Sequence, residues 1–361
     1  MVANHRLRQV NETVQARLDA IKIGQKMMDL PEELWHDSFR YYVKEDTTRR
    51  GGPNLRIIRL DPTKPSLTVT GFIFNKFVHP YENRFITVRE AARLQGFPDD
   101  MEFVGSLCST QQQVGNAVPV QLAKAVFDAI VKYASAIKYK KHDLHALSLF
   151  CGSGGLDLGA SAAKEGTYRI IVDVATDFWD DACNTLRNYV GDSTAVVQED
   201  IKAISSPLDF WKQHSKRRYR PDIVFGGPPC QAFSQAGKQK ALNDPRGELV
   251  FDFIRFIQEI APPFFVMENV SNIRSVKDGV LYHTILQQFD ELGYNVSTDV
   301  LCAADYGAAQ LRRRAIFIGC KKELGIVPLP EPLYTEESDN LLGLPTYIGV
   351  GEAFKGLPAL K

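Results

Sequence analysis

The 361-residue chain lacks several features that would set it apart from ordinary globular proteins. No run of about 18 apolar residues is present, so a membrane span is not expected. The N-terminus, MVANHRLRQVNETVQARLDA, has no apolar stretch of the kind that a secretory signal requires. Six cysteines are scattered without a CxxC pair, which favours reduced thiols in a cytoplasm over disulfides or a zinc site. We therefore expect a cytoplasmic protein that holds no metal.

The chain also has no excess of positive or negative charge, because 43 basic residues balance 43 acidic ones. A uniformly basic surface for nucleic acid is therefore excluded, although a slight basic excess over residues 1–84 permits local phosphate binding. With 44% hydrophobic and 24% charged residues, the composition is globular and excludes disordered and collagen-like chains. The length suggests two domains, or one large domain with an appendage.

Strands and helices alternate in the second part of the chain. Short apolar runs begin at about residue 146 with HALSLF and continue with RIIVDVA, TAVVQED, PDIVFGG, PFFVMENV, YNVSTDVLCA and RAIFIGC. Helical patterns such as FWDDACNTLRNYV and GVLYHTILQQFDELG separate many of them. This alternation predicts an α/β fold with a doubly wound, mostly parallel sheet.

The first 145 residues follow a different pattern. A short helix is expected at residues 12–21, and residues 51–84 combine several prolines with β-rich SLTVTGFIF, which indicates strands and loops. Thr87 and Glu90 have the spacing of a capping box at the start of a helix. A longer helical pattern, VPVQLAKAVFDAIVKYASAI, follows, and the charged stretch KYKKHD is expected to be an exposed linker.

A glycine-rich turn, FCGSGG at residues 150–155, lies between the first strand of the alternating part and a helix. Glycines there let backbone amides approach a ligand, but many such turns are glycine-rich, so a nucleotide-like ligand and a simple turn are equally open. Asp177, after the second strand, can accept two ribose hydroxyls or cap the following helix. Phe178 and Trp179 can face an adenine or the core, and Asp200, after the third strand, is a ligand contact or a loop carboxylate.

Cys230 lies just past the fourth predicted strand, in GGPPCQAFSQAG. Open α/β sheets place their chemistry at such strand ends. Pro228 and Pro229 stiffen the turn, and a rigid turn that presents one thiol suits a nucleophile. The alternative is a buried, inert cysteine, which the polar surroundings of Cys230 disfavour.

Charged residues also stand at the fifth and last predicted strands. Glu268 ends the apolar run FVME, where a carboxylate is costly unless it is used or paired. It is therefore an acid or hydrogen-bonding partner for a heterocycle beside Cys230, or the partner of an arginine. Alternation along QLRRR puts Gln310, Arg312 and Arg314 on one side. There they grip phosphate and orient Glu268, or they form a solvated charge run.

Together these motifs resemble those of the DNA (cytosine-5) methyltransferase family. FCGSGG resembles its first motif, PPCQ its nucleophile motif, ENV its carboxylate motif and QLRRR its QxRxR motif, in the same order and spacing. RFITVREAARLQGFPDD and QVGNAVP resemble its ninth and tenth motifs. Those two motifs close the chain in most of the family, whereas here they precede the first motif. The sequence therefore resembles a circularly permuted member, which is feasible because domain termini are often close and exposed.

The resemblance implies S-adenosyl-L-methionine as cofactor and a cytosine in duplex DNA as substrate. The cytosine flips out of the helix, a cysteine attacks C6, and a glutamate binds or protonates N3. The implied catalytic residues are Cys230, Glu268 and Arg312. The implied cofactor contacts are Phe150, Gly152, Gly154, Gly155, Asp177, Phe178, Asp200, Pro228 and Asn116. The expected DNA contacts are Gln231, Ser234, Arg314, Arg56, Arg59 and Thr68, with Arg56 and Arg59 as candidate base readers.

The resemblance also implies a division of the chain. Its parts are a small β-rich target-recognition domain (1–85), a permuted C-terminal part of the catalytic domain (86–137), a linker (138–145), the cofactor-binding catalytic domain (146–320) and a connection to the recognition domain (321–361). The implied setting is the prokaryotic cytoplasm, on chromosomal DNA, in a restriction-modification system. A cognate restriction endonuclease and a second subunit are open as partners.

Three other interpretations stay open. The chain could be an RNA cytosine-5 methyltransferase, or one subunit of a split enzyme. A DNA-binding protein without chemistry fits less well, because Cys230, Glu268 and Arg312 are all present.

Overall fold

The computed structural model describes residues 2–45, 57–71, 76–229 and 248–360. Four residues with an expected site role lie outside the described residues: Arg56, Cys230, Gln231 and Ser234.

The N-terminal segment consists of short elements around a small core of its own. Its helices are α1 (Glu12–Ala20) and α2 (Asp37–Lys44), and its strands are β1 (Ile58–Arg59), β2 (Ser66–Leu67) and β3 (Phe77–Val78). Strands β1 and β3 pair in parallel. The core residues are apolar and buried: Leu18, Ile21, Met27, Leu30, Phe39, Ile57, Val78 and Phe85. The described part of this segment is mixed, with two-residue strands, and the β-rich character expected for residues 1–85 stays a prediction.

Three helices follow: α3 (Val88–Leu94), α4 (Leu107–Asn116) and α5 (Val120–Ala136). The capping box of α3 is confirmed, since Thr87 N donates to Oε2 of Glu90 at 2.7 Å and Glu90 N donates to Oγ1 of Thr87 at 3.2 Å. The span from α4 to α5 is long and apolar enough to be considered as a membrane span. The apolar side chains of α5 are instead largely buried in the core beside the sheet, which is the position of a core helix.

The remaining strands of the described chain are β4 (Asp143–Leu149), β5 (Lys164–Glu165), β6 (Tyr168–Asp177), β7 (Ala195–Gln198), β8 (Ile223–Gly226), β9 (Phe264–Val270), β10 (Tyr294–Cys302), β11 (Gln310–Leu311) and β12 (Arg313–Lys321). The main sheet has the order β10–β12–β9–β8–β4–β6, with β5 and β7 both paired to β6. The pairs among β4, β6, β7, β8 and β9 are parallel, whereas β12 is antiparallel to β9 and β10. The predicted α/β fold with a mostly parallel sheet is confirmed.

Helices cover both faces of this sheet. They are α5, α6 (Gly155–Ala162), α7 (Asp180–Val190), α8 (Pro207–Ser215), α9 (Glu248–Ile260) and α10 (Val280–Glu291). Near the C-terminus, α11 (Val350–Phe354) packs instead against α3 in a separate core cluster. Side chains alternate along β4, so Leu144 and Ala146 face α5 and α6, while Leu147 and Leu149 join the core under α8, α9 and α10. The carboxyl ends of the parallel strands therefore meet at one open edge.

The N-terminal and C-terminal segments both dock at this edge. Strand β2 pairs in parallel with β11, and the Thr68 hydroxyl donates to the Leu311 carbonyl at 2.9 Å. In the C-terminal segment, Tyr347 hydrogen-bonds Asp305 at 2.5 Å, and Val350 N donates to the Lys64 carbonyl at 2.9 Å. The division of the chain into domains at the expected boundaries stays a prediction.

Candidate active site

The glycine-rich turn between β4 and α6 repeatedly adopts left-handed backbone. Phe150, Gly152 and Gly154 have φ values of 55°, 50° and 90°. Such a conformation suits the two glycines, but it is uncommon for a phenylalanine and marks a constrained turn. Gly152 N donates to Oδ2 of Asp177 at 2.8 Å, which ties the turn to the end of β6. Gly154 is the N-cap of α6, so the turn leads directly into the start of a helix.

Two glycines of this turn are constrained in different ways, Gly154 by its left-handed φ of 90° and Gly155 by close packing against backbone. A Cβ on Gly154 would lie 2.5 Å from Cδ1 of Leu186 on α7. A Cβ on Gly155 would lie 2.3 Å from the carbonyl oxygen of Val118, in the QVGNAVP stretch. The start of α6, helix α7 and this stretch therefore meet beside the turn. Asn116 is exposed here, and its carbonyl accepts from Nη2 of Arg312 at 3.3 Å, but its side chain does not line the pocket described next.

A pocket of about 240 Å³ opens at the carboxyl ends of β4, β6, β7 and β8. Four residues with an expected cofactor role line it: Phe150, Asp177, Phe178 and Asp200. The other lining residues are Thr176, Glu199, Ile201, Lys202, Pro229 and Leu249. The ring of Phe178 is 70% exposed, which leaves its faces free for a planar ligand.

Asp177 gives this pocket a partly buried acidic group. Burial raises the pKa of the Asp177 carboxyl, and the opposing influence comes from backbone N–H groups that donate to it. One of these donors is Trp179 N, at 2.9 Å from Oδ1. Trp179 itself is the N-cap of α7, so Asp177 lies two residues before the N-cap of the helix that it was expected to cap. Asp200 is exposed and accepts from Lys202 N at 2.9 Å.

These features fit S-adenosylmethionine. The exposed ring of Phe178 suits an adenine, and two carboxylates at strand ends suit ribose hydroxyls and a positively charged ligand. Pro229 and Leu249 supply apolar walls. Pro228, expected to touch the cofactor, does not line the pocket; its neighbour Pro229 does.

A second constellation lies on β9 and β12, next to the turn that follows β8. Glu268 is 8% exposed, and its Oε1 lies 2.6 Å from Nε of Arg314. A Cβ on Gly227 would lie 2.8 Å from Oε2 of Glu268, so the carboxylate directly flanks the backbone of the GGPPC turn. Asn269 donates from Nδ2 to the Pro228 carbonyl at 3.1 Å, which fixes that turn. A paired carboxylate is thus held beside the residues that precede Cys230.

Arg312 has a different position from the one expected. It is 1% exposed, and its Nη1 donates to the carbonyls of Val69 at 2.7 Å and Gly115 at 3.0 Å. Burial lowers the pKa of its guanidinium well below the ordinary value. Gln310 adds to the same junction by accepting from Val69 N at 3.0 Å. Arg312 therefore joins three parts of the chain, and the arginine that orients Glu268 is Arg314.

Arg59 does not fit its expected role as a base reader. It is 5% exposed and lies inside the N-terminal segment. Its guanidinium donates to the carbonyls of Ile21, His79, Glu82 and Leu18 and to Oδ1 of Asn83, at 2.6–3.0 Å. All three guanidinium nitrogens are thus engaged in holding the segment together. Thr68 is only partly buried, but its hydroxyl donates to Leu311 rather than pointing free.

Sequence reasoning missed part of the pocket. Thr176, Glu199, Ile201 and Lys202 were not singled out, although each is next to or within two residues of a chosen aspartate. Adjacency to the ends of β6 and β7 was the available signal, because a pocket at strand ends is lined by consecutive residues. No such signal pointed to Leu249. It lies at the start of α9, far in sequence from the strand ends, and only the folded chain brings it to the pocket.

The sheet order, with one antiparallel strand between β9 and β10, and the pocket over the strand ends define an S-adenosylmethionine-dependent methyltransferase fold. Within that class, the family model of C-5 cytosine-specific DNA methylases matches residues 2–132 and 144–350. The chain therefore belongs to the C-5 cytosine-specific DNA methylase family.

Two curated relatives and one solved structure are similar to parts of this chain. The chain is 38% identical over 218 residues to the Type II methyltransferase M1.HphI of Haemophilus parahaemolyticus, which is 60% of this chain and 53% of that protein. It is 36% identical over 227 residues to the Type II methyltransferase M.AquIA of Picosynechococcus sp., which is 59% of this chain and 88% of that protein. A solved structure described as a prophage-encoded DNA modification methyltransferase of E. coli has 30% identity and a TM-score of 0.47, over 60% of this chain and 56% of that one. The aligned part spans about half the length of several curated relatives, M1.HphI among them.

Proposed function

We propose that the protein transfers a methyl group from S-adenosylmethionine to C5 of a cytosine in a specific duplex DNA sequence. The observation that carries this proposal is the ion pair between Glu268 and Arg314 beside the GGPPC turn, at the same sheet edge as the acidic and aromatic pocket. Family membership supports the reaction, and the relatives' designation as Type II methyltransferases supports a role in restriction-modification. A cognate restriction endonuclease is then a functional partner, and the setting is the prokaryotic cytoplasm.

The substrate base must leave the duplex before it can reach this edge. C5 and C6 of a stacked cytosine are inaccessible, so the enzyme binds the nucleotide in a flipped-out position. The partly buried Arg314 pairs with Glu268 at the mouth of the site and is proposed to contact DNA there. Gln231, Ser234 and Arg56 are further DNA contacts proposed from the family motif and from the basic character of their segment.

The chemistry needs a nucleophile and a partner for the cytosine ring. We assign the nucleophile to Cys230, whose thiolate adds to C6 and makes C5 electron-rich. Glu268, held by Arg314, binds N3 and stabilises the charge that develops on the ring. S-adenosylmethionine, when bound, supplies the methyl group as a sulfonium and departs as the thioether. Loss of the C5 proton to a base then expels Cys230 and restores the aromatic ring.

Circular permutation is part of the proposal. The family model matches in two segments that are separated at residues 133–143, and the ninth and tenth motifs lie in the first of them. In the fold, the tenth motif packs its Val118 carbonyl on Gly155 of the first motif, and its Asn116 and Gly115 carbonyls accept from Arg312. These contacts support the proposal that the two matched segments form one catalytic unit, whatever their order along the chain. The short connection is not loose, since Lys141 pairs with the buried Asp222 at 2.8 Å.

A trapping experiment tests the proposed function. Duplex DNA containing 5-fluorocytosine should form a stable covalent complex with the protein and S-adenosylmethionine, because fluorine at C5 cannot leave as a proton. Cys230→Ser should form none, and Glu268→Gln should form it far more slowly while still binding DNA. Transfer to tRNA but not to duplex DNA would instead favour an RNA methyltransferase. Activity only after addition of a second chain would favour one subunit of a split enzyme.

A further inference from the structure

A strongly basic surface lies at the amino ends of the parallel strands, opposite the edge that holds the candidate active site. Two segments form it, residues 129–142 before β4 and residues 210–221 before β8. Together they contain nine lysines and arginines and no aspartate or glutamate, in a chain whose net charge is zero. Such a local excess of positive charge attracts polyanions.

Side-chain contacts hold the two segments together. Nζ of Lys141 lies 4.4 Å from the centroid of the Tyr219 ring and 2.8 Å from Oδ1 of the buried Asp222. The Tyr139 hydroxyl donates to the same carboxylate oxygen at 3.3 Å. Because β4 and β8 are parallel neighbours, the residues that precede them share one edge of the sheet. The cations there form one surface, the amino-edge surface: Lys138, Lys140, Lys141, Lys216, Arg217, Arg218 and Arg220.

Structural roles account for only part of this charge. Helices α5, α8 and α9 end at the same edge, where the partial negative charge of each helix end favours a cation. Arg220 meets that need for α9, since its Nη1 donates to the carbonyls of Glu259 and Ile260 at 3.0 and 2.7 Å. Arg217 pairs with the buried Asp173 at 3.0 Å. Neither arginine is therefore fully available to a ligand.

Other cations of the amino-edge surface are left for an external partner. They are exposed and form no ion pair within the part of the chain that the structure describes: Lys138, Lys140, Lys216 and Arg218. The carboxylate next to them in sequence, Asp143, is taken by Arg169 at 2.8 Å. Exposed cations that outnumber the helix ends and lack carboxylate partners are the pattern by which proteins bind backbone phosphates.

We propose that the amino-edge surface binds the phosphates of a second duplex DNA segment while the active-site edge holds the first. This inference rests on the proposed function, because it takes duplex DNA as the polyanion. Strand β4 has seven residues, so about 20 Å of sheet separates the two edges. The persistence length of duplex DNA is about 150 bp, so the segment at the active site cannot fold back to the opposite edge. The second segment is therefore another molecule or a distant part of the same DNA.

Binding of this kind has two physical consequences. Phosphate contacts carry no sequence information, so the second segment is held whatever its sequence. Each phosphate that a cation neutralises releases counterions, so the affinity for the second segment falls steeply as salt is added. A protein that holds two segments can pass from one to the other without leaving DNA, which speeds the search for a recognition sequence.

The stoichiometry of DNA binding by the full chain tests the inference. A short labelled duplex of arbitrary sequence is titrated at about 50 mM salt, and sedimentation gives the mass of the complexes. The wild type should bind two duplexes per chain. The double variant Lys140→Ala/Arg218→Ala should bind the second duplex at least about tenfold more weakly, with a salt slope smaller by about 2. Lys124→Ala/Lys355→Ala removes the same charge from two exposed lysines that are paired elsewhere, and should bind two duplexes as the wild type does.

Each outcome bears on the amino-edge surface. One duplex per wild-type chain overturns the inference, as does a second duplex that the double variant binds as tightly as the control. Duplex RNA or polyglutamate bound more tightly than duplex DNA, and lost in the double variant, would assign the surface to another partner and overturn it as well. Should the double variant fail to fold, Lys216→Ala alone should weaken the second step in the same direction.

Methyl transfer to genomic DNA, measured on the same proteins, separates this inference from the proposed function. A wild type that methylates DNA but binds a single duplex overturns this inference alone. A wild type that binds two duplexes without methylating DNA or RNA overturns the proposed function and leaves the second binding surface in place.

Discussion

Nε of Arg314 lies 2.6 Å from Oε1 of Glu268, so the carboxylate at the end of β9 is paired by the last arginine of QLRRR. Both side chains are largely buried, and a charge-assisted hydrogen bond in such a place contributes about 1.5–3 kcal/mol. Opposite charges held this way fix the direction of the carboxylate before a substrate arrives. The pair is therefore a preorganised feature of the site.

Replacing Arg314 by lysine keeps the positive charge but removes the Nε donor and the planar fork. Loss of the oriented hydrogen bond should slow methyl transfer in a single turnover by roughly ten- to a hundredfold. Quenching the reaction at successive times, with enzyme in excess over DNA, measures this single-turnover rate directly. Arg313→Lys, at the exposed neighbouring position, is the matched control and should keep the wild-type rate. An Arg314→Lys rate equal to that of the control would remove Arg314 from the chemistry.

Arg312 should matter for stability more than for chemistry. Replacing it by methionine leaves the carbonyls of Val69 and Gly115 without their donor in a buried junction. Each unsatisfied group costs about 1–3 kcal/mol, so the free energy of unfolding should fall by about 2–5 kcal/mol. Urea denaturation of the two proteins gives this difference. Arg313→Met should change it by less than about 0.5 kcal/mol, as exposed substitutions usually do.

Phe178 offers a test of the pocket that does not depend on turnover. Its ring is 70% exposed, so truncation to alanine should leave the thermal midpoint nearly unchanged. Loss of a stacking partner for a base costs about 1–3 kcal/mol, so the Kd for S-adenosylmethionine should rise roughly five- to a hundredfold. Calorimetry measures the Kd without DNA. Tyr189→Ala, on helix α7 and outside the pocket lining, is the control and should bind S-adenosylmethionine as the wild type does.

The positions of Arg312 and Arg314 could be predicted only in part from the sequence. Short apolar runs predicted the strands of the main sheet correctly, because a strand buried on both faces needs an apolar run whatever its neighbours are. Alternation also put Arg312 and Arg314 on the same side, but spacing alone could not tell which of them meets Glu268. That choice depends on the register of β12 against β9, in which Arg314 is opposite Val270 and Ile316 is opposite Glu268.

Burial by distant segments was equally out of reach. Arg59 stands between β-rich residues and was expected at a DNA surface, yet its partners Leu18, Ile21 and His79 come from other parts of the chain. Only the fold brings their carbonyls together. The glycine-rich turn, in contrast, could be predicted, because its backbone conformation depends on residues that are adjacent in the sequence. The same holds for the capping box at Thr87.

Arg59→Ala should therefore destabilise the protein rather than change its sequence preference. Truncation removes donors from four carbonyls and one amide oxygen, and loss of such a network should lower the free energy of unfolding by about 3 kcal/mol or more. Lys64→Ala, whose side chain is 75% exposed, is the control and should be nearly neutral. Under conditions where the variant stays folded, its relative activity on single-base variants of the DNA site should equal that of the wild type. Altered discrimination at one base with unchanged stability would restore Arg59 as a base reader.

The junction of the two matched segments can be tested at Gly155. This glycine is the first residue of α6, where alanine is a better helix former by about 1 kcal/mol. A Cβ there would nevertheless lie 2.3 Å from the Val118 carbonyl, and backbone cannot yield as a flexible side chain does. Gly155→Ala should therefore lower the free energy of unfolding by about 1–3 kcal/mol, the usual cost of overpacking, and weaken S-adenosylmethionine binding by moving the turn. Ser161→Ala, at an exposed position of the same helix, should be neutral or slightly stabilising. A gain in stability for Gly155→Ala as well would mean that helix propensity dominates and that the tenth motif does not pack on the first in solution. That result would remove the main structural support for the permuted arrangement.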